Sequence, residues 1–205
     1  MAPPRRLVTL QAELRSCTAC PEGVGPVVHG PPIKSPVFLL GQAPGVHEGD
    51  KGRPFAWTAG KTLFQWLERA TGADEETIRG RVYFSAVARC FPGKAKGGGG
   101  DRRPSSDEIE RCRRFIEGEI GILRPKLVLH IGTRASEEVL GHDGKLVDVI
   151  GTVQRASYHG VKVDVIALPH PSGASTWHRT EPGKTLLARA LELVASHEAM
   201  REALG

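Results

Sequence analysis

Short apolar runs that alternate with helical patterns constrain the fold of this chain more than any other feature. Residues 37–40 form a continuous apolar run that Gly41 ends, and residues 82–88, 127–131 and 161–168 are further strand candidates. Apolar runs of this length are typical of strands that are buried on both faces of a parallel sheet. The chain therefore predicts an α/β fold: a three-layer αβα single domain around a central, mostly parallel four-stranded sheet.

Helical patterns separate these strands, because apolar residues recur three and four positions apart. Acidic residues follow Ser105 and Ser106, so either serine is a candidate cap for the helix that comes next. A hairpin partner of the last strand is predicted near Val153. The predicted helices cover residues 7–14, 63–70, 105–123, 132–140 and about 183–197.

The composition is that of one compact domain over residues 1–205. Of these 205 residues, 40% are hydrophobic and 25% are charged, which excludes a collagen, a coiled coil and a disordered chain. We find no apolar run long enough to cross a bilayer and no secretory signal, so we expect a cytoplasmic monomer without a membrane partner. The formal net charge of +5 favours a polyanionic partner.

Four cysteines suggest a metal site. Cys17 and Cys20 form a C-x-x-C, Cys90 follows a predicted strand, and Cys112 lies in a predicted helix. Four thiolates suit zinc or an iron-sulfur cluster, and the wide separation of Cys90 from Cys112 favours a 4Fe-4S cluster over a zinc ribbon. The alternative is that these thiols are inert and that Cys112 belongs to the core.

The carboxyl ends of parallel strands are where ligands bind in such folds, and two loops at these ends carry polar groups. After the first strand comes G-Q-A-P-G, where Gly41 and Ala43 let the backbone approach a ligand and Gln42 offers a donor and an acceptor. It is neither a Walker loop nor G-x-G-x-x-G. The alternative is a tight connection between a strand and a helix.

After the last strand, His170 lies between two prolines, where a stiff backbone can aim its imidazole at a developing anion. Trp177 and Arg179 add an aromatic ring and a charge that suit nucleic acid. A structural histidine in a surface loop is the alternative.

A basic, glycine-rich loop covers about residues 93–104. Its glycines predict that it has no regular structure and is mobile. We expect its four basic side chains to contact DNA phosphates, unless the loop is only a solvated spacer. These side chains are Lys94, Lys96, Arg102 and Arg103.

Taken together, these motifs resemble the uracil-DNA glycosylase superfamily, specifically the iron-sulfur branch of families four and five. The resemblance rests on C-T-A-C near the start, G-Q-A-P-G after a strand, G-R-P-F downstream, A-R-C after the next strand and H-P-S after a late strand. The motifs occur in the family's order and span most of the chain.

The resemblance implies a 4Fe-4S cluster held by the four cysteines and a flipped uracil that stacks on Phe55. It places His170 beside a carbonyl oxygen of the base and an acidic residue, Glu48, near the pocket. Ser172 and the rest of the H-P-S loop would press into the duplex, with Trp177 or a neighbour as the wedge.

Two residues depart from the pattern of family four. Gln42 stands where that family has a glutamate, and Ala86 stands where it has an asparagine that reads the edge of uracil. Gln42 or Ser85 would then have to read the base. The H-P-S loop also lacks the leucine that is usual in the wedge.

The implied activity is that of a monofunctional glycosylase that hydrolyses the N-glycosidic bond of uracil or another deaminated base in bacterial or archaeal chromosomal DNA. Two alternatives stay open. One is a relative that traps the sugar through a histidine, although residues 93–103 contain none. The other is a cluster-bearing protein that binds nucleic acid and has lost catalysis.

Overall fold

A computed structural model of the chain describes residues 2–20, 25–97, 100–141, 145–173 and 176–205. The strands are β1 (Val37–Gly41), β2 (Tyr83–Ala86), β3 (Leu127–Ile131), β4 (Val153–Tyr158) and β5 (Val161–Leu168). The helices are α1 (Arg5–Arg15), α2 (Glu48–Lys51), α3 (Thr58–Thr71), α4 (Glu75–Arg81), α5 (Ser106–Leu123), α6 (Thr133–Leu140), α7 (Gly183–Ser196) and α8 (Glu198–Leu204). Short 3-10 turns cover Leu146–Asp148 and Trp177–Arg179.

The described strands form one sheet in the order β2-β1-β3-β5-β4. All neighbouring pairs are parallel except β4 with β5, so the predicted α/β fold with a mostly parallel sheet is confirmed. The sheet has five strands rather than the predicted four. The additional strand is the hairpin partner expected near Val153, and its exposed and half-buried residues lack the apolar run that marks a buried strand.

Successive side chains of the central strands point to opposite faces of the sheet, and both sets are buried. Helices therefore cover both faces. Leu39 and Leu129 pack on the side of α3, α7 and α8. Phe38 and Val128 pack on the side that α1, α5 and α6 cover. This is the predicted three-layer arrangement.

Local signals account for several helix ends. Ser105 and Glu108 form a complete capping box at the start of α5. Gly72 ends α3 with φ of 74°, a conformation that glycine adopts without strain. The last predicted helix ends at Ser196, and α8 follows it because His197 adopts an extended backbone and accepts the Ala199 amide.

The register brings the predicted functional loops to one edge of the sheet. Gly41 pairs with Ala86, and Ile131 pairs with Leu168, so the segments that follow these residues leave the sheet side by side. None of the helices in the described ranges has both the length and the apolar character that a membrane span needs.

Candidate active site

Three loops meet at the carboxyl edge of the sheet. The N–H groups of Val87 and Ala88 donate to the carbonyls of Gly41 and Gln42, at 3.0 and 3.1 Å, which holds the segment after β2 against the G-Q-A-P-G loop. Across the edge, the side chain of His170 lies 3.3 Å from where a Cβ would stand on Gly132. The sequence-predicted pocket residues therefore occupy one end of the sheet.

Phe55 lies beside Gly41 at this edge. A Cβ on Gly41 would stand 2.9 Å from Cζ of Phe55, so the aromatic ring requires a glycine there. Phe55 is 9% exposed and has a φ of 54°, a left-handed conformation that costs a non-glycine residue free energy. Such strain persists only where neighbouring contacts hold the residue in place.

Arg79 supplies those contacts. Its Nη1 and Nη2 donate to the carbonyls of Pro54 and Phe55, each at 2.8 Å, and its Nε donates to Glu75 at 2.7 Å. Gly60 completes the arrangement, because a Cβ there would stand 1.7 Å from the Phe55 carbonyl oxygen. The sequence analysis missed Arg79 and Gly60, since a basic residue in a short polar helix and a glycine in an amphipathic one carry no local sign of this contact.

Glu48 is buried at the start of α2, below the Phe55 loop. Burial raises the pKa of its carboxyl to about 7, while hydrogen bonds from the backbone at Phe55 and Gly45 and the charge of Arg79 act in the opposite direction. Its oxygens are therefore tied to the loop that carries Phe55.

His170 is half-buried, and its Nδ1 accepts the amide N–H of Ser172 at 3.3 Å. Burial lowers the pKa of the imidazole, and the positive charge of Arg103 lowers it further. The ring is therefore neutral at pH 7. Because Nδ1 is an acceptor, the proton of the neutral ring lies on Nε2, which becomes a hydrogen-bond donor.

The residues expected to read the base differ in what they present. Ser85 donates its hydroxyl to Glu119 at 2.9 Å, so its side chain belongs to a buried network. Ala86 is 8% exposed and contributes only a methyl group at the strand end. Gln42 is half-buried, and its backbone carbonyl accepts the N–H of Ala88. Of these three, Gln42 is the residue whose side-chain amide remains for reading a base.

The four cysteines converge on one side of this edge. Burial raises the pKa of the Cys90 thiol to about 11, and the charges of Cys112, Cys20 and Cys17 add to the rise because all three lie nearby. Cys20, Cys90 and Cys112 line a small cavity. Within the described ranges, no three His, Cys, Asp or Glu side chains are arranged to hold a single metal ion.

The basic loop is more ordered than its glycines predict. As predicted, no helix or strand is assigned to the described residues of the loop, but Lys94 and Asp101 form an isolated antiparallel bridge and an ion pair of 2.7 Å. Gly98 and Gly99 lie outside the described residues. Arg102 donates to both oxygens of Glu108, at 2.7 and 2.8 Å, which ties the loop to the capping box of α5.

The ion pairs divide the four predicted phosphate contacts into two classes. Lys94 and Arg102 already neutralise Asp101 and Glu108, whereas Lys96 and Arg103 are exposed and make no ion pair with another described residue. The loop also touches the G-Q-A-P-G loop, since Oδ2 of Asp101 lies 3.4 Å from a Cβ position on Gly45. Lys96 and Arg103 are therefore the stronger candidates for phosphate contacts.

We expect the double variant Lys96→Ala, Arg103→Ala to weaken binding to all DNA sequences alike. Each lost phosphate contact should reduce the slope of log K against log salt by about 0.9. Fluorescence anisotropy over a salt series measures both effects. The matched control removes Lys162 and Arg155, two exposed charges of the β4-β5 hairpin. An unchanged slope in the first variant would show that the loop is a spacer.

The structure covers the tryptophan that the sequence predicts as the wedge and exposes another one. Trp177, the predicted wedge, is only partly exposed and packs against the core beside Gly183. Trp57 is 45% exposed two residues after Phe55, and its ring lies 4.5 Å from that of His47. Ser172 is engaged through its amide with His170, and Arg179 is exposed. Trp57 is thus the more exposed of these two tryptophans, and it follows the Phe55 loop directly.

Comparison with known proteins agrees with these features. A family model described as "Uracil DNA glycosylase superfamily" matches residues 27–194. A type-4 uracil-DNA glycosylase from Pyrobaculum aerophilum is 32% identical over 68% of this chain and 68% of its own length. One from Archaeoglobus fulgidus is 28% identical over 78% of both chains. A type-5 uracil-DNA glycosylase from Thermus thermophilus is 33% identical over 53% of this chain and 51% of its own.

Proposed function

Because the chain belongs to the uracil-DNA glycosylase superfamily, we propose that it removes uracil from DNA by hydrolysing the bond between the base and the sugar. The observation that carries this proposal is the hydrogen bond from the Ser172 amide to Nδ1 of His170, which leaves Nε2 as the donor at the strand edge that also holds Phe55. An enzyme that acts on a base must first take it out of the stack, which costs a few kcal/mol and least for a mismatched base.

In this mechanism the flipped base stacks on Phe55 and its carbonyl oxygen accepts the hydrogen bond of His170 Nε2. As the glycosidic bond breaks, negative charge grows on the base, and the neutral imidazole stabilises it more in the transition state than in the bound substrate. Backbone N–H groups of the Gln42 loop add to this stabilisation. The proposed reaction forms no covalent bond between the protein and the sugar and ends with hydrolysis.

Glu48 has a positioning role in this proposal. The resemblance places it near the pocket, where either it or the DNA phosphates could stabilise the sugar cation, but its carboxyl interacts with the backbone that carries Phe55. When the carboxyl of Glu48 is ionised, it interacts most strongly with the backbone at Phe55 and Gly45, and these hydrogen bonds hold the Phe55 loop. The phosphates of the DNA and Gln42 are then left to stabilise the sugar cation and orient water.

We expect Glu48→Gln to remove a pH dependence of both activity and stability. The carboxyl binds its proton more tightly in the folded state than at its ordinary pKa of 4.5. The contribution of Glu48 to stability is therefore fully present below pH 4.5 and is lost, by something on the order of 3 kcal/mol, as the pH rises through about 7. Excision should rise over the same range, because the ionised carboxylate orders the Phe55 loop.

Urea unfolding and single-turnover excision at pH 5, 6, 7 and 8 measure these effects. Glu68→Gln, an exposed glutamate on α3, is the matched control and should retain the wild-type profiles. Parallel pH profiles in wild type and Glu48→Gln would contradict the assignment.

We also propose that Cys17, Cys20, Cys90 and Cys112 hold a 4Fe-4S cluster. The donor set supports it: Cys20, Cys90 and Cys112 line one cavity, the charge of Cys17 contributes to the raised pKa of Cys90, and four thiolates are the ligands that such a cluster takes. The cluster would be structural, because its ligands join the N-terminal segment to the segment after β2 and to α5.

The purified protein should then be brown, with broad absorption at the blue end of the visible range. Replacing Cys90 and Cys112 by serine should abolish the colour and lower the melting temperature, since the cluster joins distant segments. Metal analysis together with sulfide analysis measures the content. A colourless zinc protein, or full stability without the cysteines, would refute this proposal.

Base release from oligonucleotides that carry uracil, hypoxanthine or xanthine tests the function. We expect release of uracil, in single-turnover conditions, with an abasic product and no strand cleavage. Because Gln42 and Ala86 replace the residues that family four uses, excision of the other two bases would indicate a broad base range. Tight binding without release would instead establish the second candidate, a nucleic-acid binding protein without catalysis.

A further inference from the structure

A buried ion pair lies directly behind the cysteine cavity, and neither the fold nor the proposed reaction explains it. Arg89 is 1% exposed and its Nη2 donates to Oε2 of Glu119, which is 0% exposed, at 2.5 Å. Tyr83 and Ser85 donate to the same carboxylate at 2.8 and 2.9 Å. Burying two charges is costly even when they pair, so apolar residues could fill the same space at less cost.

The guanidinium of Arg89 is incompletely satisfied. Its Nε and Nη1 are buried and have no hydrogen-bond partner among the described residues. An unmade hydrogen bond to a buried donor costs free energy, and a charged donor costs more than a neutral one. Tyr83 and Ser85 fix Glu119, which in turn holds Arg89 in this position. Nε and Nη1 of Arg89 therefore remain to serve a group that the described residues do not supply.

The position of Arg89 indicates which group these two donors serve. Arg89 lines the cavity together with Cys20, Cys90 and Cys112. Its backbone N–H donates to the sulfur of Cys112, and its charge acts on that thiol. Thiolate and sulfide sulfurs accept hydrogen bonds, and such bonds are a principal means by which a protein tunes an iron-sulfur cluster.

Building on the cluster proposed above, we infer that the side chain of Arg89 is a hydrogen-bond donor to the cluster's sulfurs and that the Arg89-Glu119 pair sets its reduction potential. The donors stabilise the negative charge that reduction adds, so Arg89 raises the potential. Glu119 cancels the full positive charge of the guanidinium, so it limits that rise. The two residues are positioning residues with opposite effects on one measurable quantity.

Opposite shifts in two variants test this inference. Replacing the pair together, by Arg89→Met with Glu119→Leu, removes the donors without leaving an unpaired charge. At a fixed potential we expect the ratio of oxidised to reduced cluster to rise at least tenfold, which is about 59 mV for one electron. Glu119→Gln keeps the donors of Arg89 and removes the negative charge of Glu119. The ratio of oxidised to reduced cluster should therefore fall in this variant.

Spectroelectrochemical titration with dithionite, monitored by absorption and electron paramagnetic resonance, measures the ratio in the intact protein. Lys126→Met is the control, because the exposed ion pair of Lys126 with Glu202 adjoins the opposite edge of the sheet, and it should leave the midpoint unchanged. If the double variant fails to fold, the midpoint potential of Arg89→Lys tests the inference instead, because lysine keeps the charge but has one nitrogen in place of three. Its midpoint should also fall.

The outcomes separate this inference from the proposal on which it rests. A cluster of normal iron and sulfide content whose potential is unchanged in the Arg89 variants, or that shifts in the same direction in Glu119→Gln, overturns the inference alone. Wild-type protein without a cluster overturns the cofactor proposal and the inference with it. Excision of uracil is a third, independent measurement, and its result concerns only the proposed reaction.

Discussion

His170→Ala is expected to lower the single-turnover rate of uracil excision about a hundredfold to a thousandfold, or about 3 to 4 kcal/mol in barrier height. The hydrogen bond from the imidazole strengthens as the leaving base becomes an anion. Its loss therefore destabilises the transition state more than it weakens substrate binding. DNA affinity should therefore change little. His170→Asn, which keeps an N–H donor on a shorter side chain, should recover part of the rate.

Gln42→Ala provides the comparison that separates leaving-group stabilisation from activation of water. With an amide in place of a carboxylate, Gln42 cannot act as a base, so its removal should cost less than the removal of His170. Rapid-quench kinetics with excess enzyme measure both variants, and His29→Ala, a half-buried histidine that bonds the Gly30 carbonyl, is the control. A silent His170→Ala, or a greater loss in Gln42→Ala, would show that the mechanism is wrong.

Phe55→Ala should lose about one to two orders of magnitude in excision, because stacking of a base on an aromatic ring contributes about 1 to 3 kcal/mol. Since the ring is 9% exposed and packs against Phe84, with centroids 6.4 Å apart, the melting temperature should fall as well. The alanine variant therefore does not by itself separate stacking from packing.

Phe55→Leu separates these two contributions. Leucine keeps most of the apolar volume but has no aromatic face, so it should melt close to wild type and still lose activity. Arg79→Met keeps the Phe55 side chain but removes both donors that hold its backbone in position, so it should reproduce the loss of excision. A fully active leucine variant would show that Phe55 is a core residue.

Much of this architecture was accessible from local sequence. The parallel strands, the capping box at Ser105 and the clustering of functional loops at one edge follow from apolar runs, caps and strand direction. These are short-range features, because neighbouring residues alone decide whether a segment can be buried on both faces or can begin a helix. The motifs and their order likewise identified the family.

The tertiary structure decided which side chains act together. Arg79 comes to Phe55 from 24 positions along the chain, and Glu119 comes to Arg89 from 30. Only the packing of α4 and α5 against the sheet creates these contacts. Burial then strengthens their hydrogen bonds, because the interior has a lower dielectric constant than water. Packing against α7 covers Trp177, whereas Trp57 is exposed, because the exposure of a ring depends on what covers it and not on its neighbours in sequence.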